Sequence, residues 1–275
     1  MDRCGRPAGS RYPADPRAST AALAALTMND IRLVGFDGDD TLWRSEDYYR
    51  SAEKRYEEIV GRYIDLHDAG TLRHLLEVER RNLKVFGYGV KGMVLSMIEA
   101  AIELTDGRIA ARDLHQVVEI GRATLQHPVE LIEGIREAVA AIAGDWPVVL
   151  ITKGDLFHQE QKIAASGLAD LFPRIEIVSE KDPPTYARVL AEFGIDATQF
   201  VMVGNSLRSD IEPVVRLGGW GVHMPFTTTK ATTARWWWNT TAGGARSTTV
   251  TGRPRVRWWC TVRHRTTTRR CHATG

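Results

Sequence analysis

Ile31-Arg32-Leu33-Val34-Gly35-Phe36-Asp37-Gly38-Asp39-Asp40-Thr41-Leu42 sets a short, mostly apolar run directly before a cluster of carboxylates. Ile31–Phe36 has the length and composition of a buried strand and stops where the charges begin. Asp37 and Asp39 then lie two residues apart in a tight loop that Gly38 allows to turn, and Thr41 is placed to brace that loop by hydrogen bonding. Asp40, between two motif positions, is expected to face solvent or cap the turn. Two carboxylates this close do not both stay ionised without a cation beside them. The pair suits an ionised nucleophile next to a group that holds or releases a proton, and Asp is a known nucleophile in forming aspartyl-phosphates.

Four more strand-like runs follow, at Val148–Thr152, Ile175–Val178, Phe200–Val203 and Trp220–Met224. Helical periods separate them: Val129, Ile132, Ile135, Val139 and Ile142, then Ile163 to Leu171, then Tyr186 to Phe193. Strands alternating with helices predict an α/β fold, a Rossmann-like parallel sheet wrapped on both faces. The interval from Thr41 to Val148 is too long for one crossover. It carries stripes over Tyr48–Ile64, Leu72–Phe86, Val94–Ile102 and Leu114–Leu125, which predict a small bundle of amphipathic helices inserted after the first strand.

Each later strand ends in residues with chemistry of their own. Thr152 is followed by Lys153-Gly154-Asp155, where a hydroxyl and adjacent backbone N–H groups can hold phosphate oxygens. Lys181 follows the third strand and can neutralise a nucleophile and a transferring phosphoryl group. Gly204-Asn205-Ser206-Leu207-Arg208-Ser209-Asp210 follows the fourth, and its Asn205 and Asp210 offer the oxygen ligands that magnesium prefers. Taken singly, these are a strand ending in Thr, a surface Lys and a helix N-cap. Their order, each at the carboxyl end of a successive strand, is where an open α/β sheet binds its ligand.

With these four motifs in place the sequence resembles the haloacid dehalogenase superfamily of hydrolases, over about residues 31–226. The resemblance implies a strand order of 5-4-1-2-3 and a helical cap as the insert. It also implies the roles. Asp37 attacks phosphorus, Asp39 protonates the leaving oxygen and then activates water, and Thr152 and Lys181 hold the phosphoryl oxygens. Magnesium is ligated by Asp37, the backbone carbonyl of Asp39, and Asn205 or Asp210. Members that break carbon–halogen bonds lack the second Asp, so its presence here favours hydrolysis of a small phosphomonoester. Many relatives have Asp at the place of Asn205, and the loss of one charge is expected to raise the magnesium requirement. Phosphomutase chemistry, or another hydrolase of the superfamily, is the alternative.

The insert is expected to choose the substrate, a small phosphorylated metabolite. In its link Phe86-Gly87-Tyr88-Gly89-Val90-Lys91-Gly92, Tyr88 and Lys91 are the candidates to face the mouth. His127 and Pro128 mark the return to the sheet domain. The domains are then 29–44 with 128–226 for the core and 45–127 for the cap.

The ends differ in composition. Residues 1–28 are expected to be a disordered extension, without the apolar segment of a secretory signal. From Thr227 onward there are 10 Lys and Arg and no Asp or Glu, whereas residues 1–226 hold 26 Lys and Arg against 34 Asp and Glu, a net of −8. Thr, Arg and Trp dominate residues 227–275, and no period of helix or strand emerges, so this basic, low-complexity stretch is expected to be unstructured. Its abrupt onset is what a shifted reading frame produces. Arg interleaved with Trp also fits single-stranded nucleic acid, but the patternless run makes nucleic acid the weaker expectation. The three Cys form no metal or disulfide spacing, which fits a reducing, cytoplasmic setting. No apolar stretch is long enough for a membrane span, and the sequence sets no oligomeric state.

Overall fold

The computed structural model describes residues 30–66, 71–225, 234–240 and 244–250. The sheet is built on β1 (Leu33–Phe36), whose four residues are all buried. Around it lie β2 (Val148–Lys153), β3 (Arg174–Val178), β4 (Phe200–Gly204) and β5 (Trp220–His223), all parallel, in the order 3-2-1-4-5. β1 is therefore central, with Val34 opposite Val148 on one side and Val201 on the other. This is the order implied by the family resemblance.

The period of two along β1 feeds two cores. Val34 and Phe36 pack with Val148, Leu150, Val201 and Val203 beneath α5 (Ile135–Asp145) and α6 (Leu156–Ser166). Leu33 packs on the opposite face with Val149, Ile151, Phe200 and Met202 beneath α7 (Pro183–Phe193) and α8 (Glu212–Arg216). Gly35 faces this second core because a Cβ there would lie 2.6 Å from the Phe200 ring. Val129 and Ile132 share the apolar spacing of α5 but precede its first turn. The chain there runs beside the segment leaving β1 instead, with Arg44 N–H bonded to the Glu130 carbonyl (2.9 Å) and Ile132 N–H to that of Leu42 (3.0 Å).

Between β1 and β2 lie four helices, α1 (Glu46–Val60), α2 (Thr71–Phe86), α3 (Val90–Leu104) and α4 (Ala111–Leu125). They enclose a separate core around Tyr56, Val60, Leu75, Val78, Met97, Val117 and Ile120. The two paired segments near residues 42–44 and 130–132, joined by an isolated bridge between Trp43 and Leu131, carry the chain into and out of this bundle.

The basic stretch departs from expectation. β6 (Ala234–Thr240) pairs antiparallel with β5, and β7 (Gly244–Val250) with β6, which extends the sheet to seven strands. Thr and Trp are good strand formers, and a search for regular apolar alternation passes over them. The expected extension at 1–28 and the tail beyond residue 250 lie outside the described residues. Among the described residues, no helix is long and apolar enough to cross a membrane.

Candidate active site

The carboxyl ends of β1, β2, β3 and β4 bring the motif residues together. Asp37 leaves β1 with its N–H bonded to the Val203 carbonyl (2.8 Å), which ties the loop to β4 at its first residue. One carboxylate oxygen accepts from Thr41 Oγ1 (2.9 Å) and the other from Lys181 Nζ. Thr41 in turn accepts from the Asn205 N–H (3.0 Å), so a single hydroxyl links the β4 loop to Asp37. Lys181 also binds Asp210 Oδ1 (2.7 Å), and its side chain is only 2% exposed. Asp210 accepts the Ser206 N–H (2.8 Å) from within the π-helical turn Leu207–Ile211, where Ser206 is the N-cap. It is thus a buried partner of Lys181 rather than a cap. Gly204 makes room for it, since a Cβ there would lie 2.4 Å from Asp210 Cγ.

The electrostatics follow from burial. Two buried carboxylates face one ammonium. Burial, together with Asp210, pushes the Asp37 carboxyl up to about 7 against the pull of Lys181. Burial favours the neutral amine of Lys181, but Asp210 and Asp37 outweigh it and hold the ammonium above its ordinary value. The cluster therefore carries an excess negative charge, and its donors are all oxygens, as a hard divalent cation requires. Among the described residues no three His, Cys, Asp or Glu side chains form a metal cage. A cation here would draw on Asp37, Asp210, the Asn205 amide and the Asp39 backbone, with water completing the shell, a mixture magnesium accepts. Asn205 is fixed through its backbone: its carbonyl lies 2.8 Å from His223 Nε2, leaving the side-chain amide out of both backbone bonds.

Asp39 stands apart from this cluster. Its carboxylate accepts from Trp43 Nε1 (2.8 Å), Gln159 Nε2 (2.8 Å) and Lys162 Nζ (2.7 Å to Oδ2). Burial alone would raise its pKa, but Lys162, Gln159 and Trp43 hold the carboxyl below its ordinary value. Each carboxylate of the Asp37–Asp39 pair thus has a lysine of its own, Lys181 at Asp37 and Lys162 at Asp39. Lys162 and Gln159 went unread in the sequence. They sit three apart on α6, on one face of the helix, and a buried polar pair beside the core residue Ile163 is the signal that marks them. Of the two places expected for Asp40, solvent or a cap, the structure shows the cap, and the side chain is buried. Asp40 takes a positive φ of 59°, which Asp tolerates, and accepts the Ser45 and Glu46 N–H groups at the start of α1.

Thr152 Oγ1 is buried without a hydrogen-bond partner and lies against Gly38, 3.1 Å from where a Cβ would be. Gly154 takes a φ of 149°, and a Cβ there would meet Gln159 Nε2 at 2.8 Å. Three other candidates are engaged elsewhere. Lys153 Nζ binds Glu180 (3.0 Å) and lies 3.9 Å over the Tyr88 ring. Tyr88 Oη donates to Glu180 (2.7 Å), and Lys91 Nζ pairs with Asp155 (2.9 Å). These contacts join the helical insert to the loops after β2 and β3. They do not reach Asp37. His127 stacks on Tyr48 (4.6 Å) in a cleft of about 270 Å³ that also includes Arg44 and Arg55 but none of the motif carboxylates.

The family model for haloacid dehalogenase-like hydrolases matches residues 31–218. A haloacid dehalogenase-like family hydrolase from Xanthomonas campestris is 70% identical, with a TM-score of 0.69, covering 73% of this chain and 84% of that one. At fold level only, a predicted phosphoglycolate phosphatase from Haemophilus somnus is similar, at 17% identity, a TM-score of 0.51 and 73% and 88% coverage. So is a dehalogenase in an intermediate complex, at 13% identity, a TM-score of 0.52 and 73% and 87% coverage. No curated protein matches the chain. The family model spans more than half of the sequence, and the chain belongs to the haloacid dehalogenase-like hydrolases.

Proposed function

We propose that the protein is a magnesium-dependent phosphatase that hydrolyses a small phosphorylated metabolite through an aspartyl-phosphate on Asp37. The observation that carries this reading is Asp39, a second carboxylate two residues from the nucleophile with its own set of three donors. A halide leaves as a stable anion and needs no proton. An alkoxide leaving a phosphoester does, and a positioned carboxyl group supplies it.

In this reading Asp37 attacks phosphorus in line, with Thr41 and Lys181 fixing the orientation of its carboxylate. Lys181 and the partnerless Thr152 hydroxyl hold phosphoryl oxygens as negative charge shifts onto them. Asp39 takes up a proton once the negative charge of the bound phosphate raises its pKa, delivers it to the leaving oxygen, and then takes one from the water that opens the aspartyl-phosphate. Magnesium, when bound, supplies the positive charge that the cluster of Asp37 and Asp210 lacks. The helical insert acts as a cap that selects the substrate, and Tyr88 and Lys91 tie it to Glu180 and Asp155 on the loops after β3 and β2. A reducing, cytoplasmic setting suits a body without Cys between Cys4 and Cys260.

A panel of phosphomonoesters assayed with magnesium, on the wild type and on Asp37→Asn, tests this. Magnesium-dependent phosphate release by the wild type alone is expected. Equal release by both proteins, or halide release from 2-haloacids in place of phosphate release, refutes it.

A further inference from the structure

Asp39 is held more elaborately than proton transfer to a leaving group requires. Lys162 Nζ spans both of its oxygens, and Lys162 is only 4% exposed while the Asp39 side chain keeps 26% exposure, so the two form a half-buried ion pair between α6 and the β1 loop. Trp43 Nε1 fixes Oδ1 from the other side of the loop. Gln159 Nε2 is shared between Asp39 Oδ2 and the Lys153 carbonyl (2.9 Å). These two acceptors decide which end of the amide is the NH2 group. The opposite end, Gln159 Oε1, is buried with no hydrogen-bond partner. A buried acceptor left unpaired is costly, and this one belongs to a side chain already bonded to Asp39.

We infer that Lys162 and Gln159 are positioning residues for hydrolysis of the aspartyl-phosphate: Lys162 holds Asp39 as an oriented carboxylate, and Gln159 aligns the attacking water beside it. Lys162 and Trp43 fix the plane of the carboxylate. Gln159 Nε2 can give up Oδ2 while keeping the Lys153 carbonyl, which frees one lone pair of Asp39 for a water hydrogen. The unpaired Gln159 Oε1 accepts the second hydrogen of that water. Water oxygen bonds to phosphorus, the bond from phosphorus to Asp37 breaks, and the proton released passes to Asp39. Both residues thus act on the second half of the reaction, after the leaving group has gone. The inference rests on the phosphatase reading and assigns the α6 pair a role within it.

The test separates the two halves. The ratio kcat/KM reports steps up to transfer of the phosphoryl group to Asp37, whereas kcat includes its later hydrolysis. Lys162→Met and Gln159→Leu keep side-chain volume close to the original. Each is expected to lower kcat, by about 10- to 100-fold for Lys162→Met and less for Gln159→Leu, a smaller effect than the roughly 10²- to 10⁴-fold of losing a general base itself. KM should fall in proportion, leaving kcat/KM within about threefold, and acid-quenched samples should show phosphorylated Asp37 accumulating. A purely structural role for the pair would lower kcat/KM along with kcat and leave no phosphoenzyme, and that result overturns the inference. Should Lys162→Met fail to fold, Gln159→Leu decides by the same two readouts. A wild type that releases no phosphate from any ester defeats the phosphatase reading itself, and this inference with it.

Discussion

Replacing Asp37 should make the metal-free protein more stable, by an amount that depends on pH. The folded-state pKa of Asp37 is raised from 3.8 to about 7, by burial first and by Asp210 second. Each unit corresponds to about 1.4 kcal/mol, so holding this carboxylate ionised in the folded protein costs on the order of 4 kcal/mol relative to its neutral form. Because the folded-state value lies above the unfolded one, the stability associated with the neutral carboxyl is fully present below the unfolded value. It is lost as pH rises through the folded one. Asp37→Asn keeps a neutral side chain of the same shape at every pH, and Lys181 keeps its bond to Asp210 (2.7 Å). The variant should therefore match the wild type near pH 4 and exceed it by up to about 4 kcal/mol near pH 8. For a chain of this size that is about 10 °C in Tm. Thermal melts in chelator, across that pH range, measure it directly. Added magnesium should narrow the gap by stabilising the wild type more than the variant. Parallel melting curves with no pH dependence in their difference, or a variant less stable than the wild type near pH 8, would refute the claim that Asp37 is held against its own ionisation.

Other substitutions separate the remaining parts of the site. Asp39→Asn removes the acid/base and should lower kcat by about 10²- to 10⁴-fold in steady-state assays. It also leaves Lys162 buried without its partner, a loss of about 3–5 kcal/mol in denaturant titrations. Asn205→Asp should lower the magnesium concentration for half-maximal activity by about tenfold or more, since a unit charge close to a divalent ion is worth over about 1.4 kcal/mol even when screened. An unchanged magnesium titration would show that position 205 does not face the metal. Gly204→Ala forces a Cβ to within 2.4 Å of Asp210 Cγ. It should cost about 1–3 kcal/mol in stability and weaken magnesium binding, both readable by calorimetry.

Much of this architecture was legible in the sequence because it lives in local pattern. An apolar run ending in Asp37-Gly38-Asp39 identifies a buried strand and its loop without reference to anything distant, and the same holds for Thr152, Lys181 and Asp210 at the ends of β2, β3 and β4, while the central place of β1 came only from the family resemblance. What escaped depends on contacts across the fold. Lys162 and Gln159 are 123 and 120 residues from Asp39, and a helix read for its apolar stripe discards the polar residues on its buried side. Trp43 reads as a core residue, which it is, yet its indole N–H also anchors Asp39. Tyr88, Lys91 and Lys153 have the right chemistry to hold a phosphate. In the structure their polar groups are taken by Glu180 and Asp155, whose proximity depends on how the helical insert meets the sheet domain. The strands at Ala234–Thr240 and Gly244–Val250 show that β-propensity in a Thr- and Trp-rich stretch can act without an obvious alternation.

The central claim is that water attacks phosphorus on Asp37, and one turnover in H2¹⁸O tests it most directly. An ester formed on Asp37 by a haloacid is opened at the carboxyl carbon, which leaves the heavy oxygen in the side chain. An aspartyl-phosphate opened at phosphorus leaves it in the product. Mass spectrometry after a single turnover with an excess of enzyme should find ¹⁸O in inorganic phosphate and none in the peptide containing Asp37. Label in that peptide, with unlabelled product, would contradict the account.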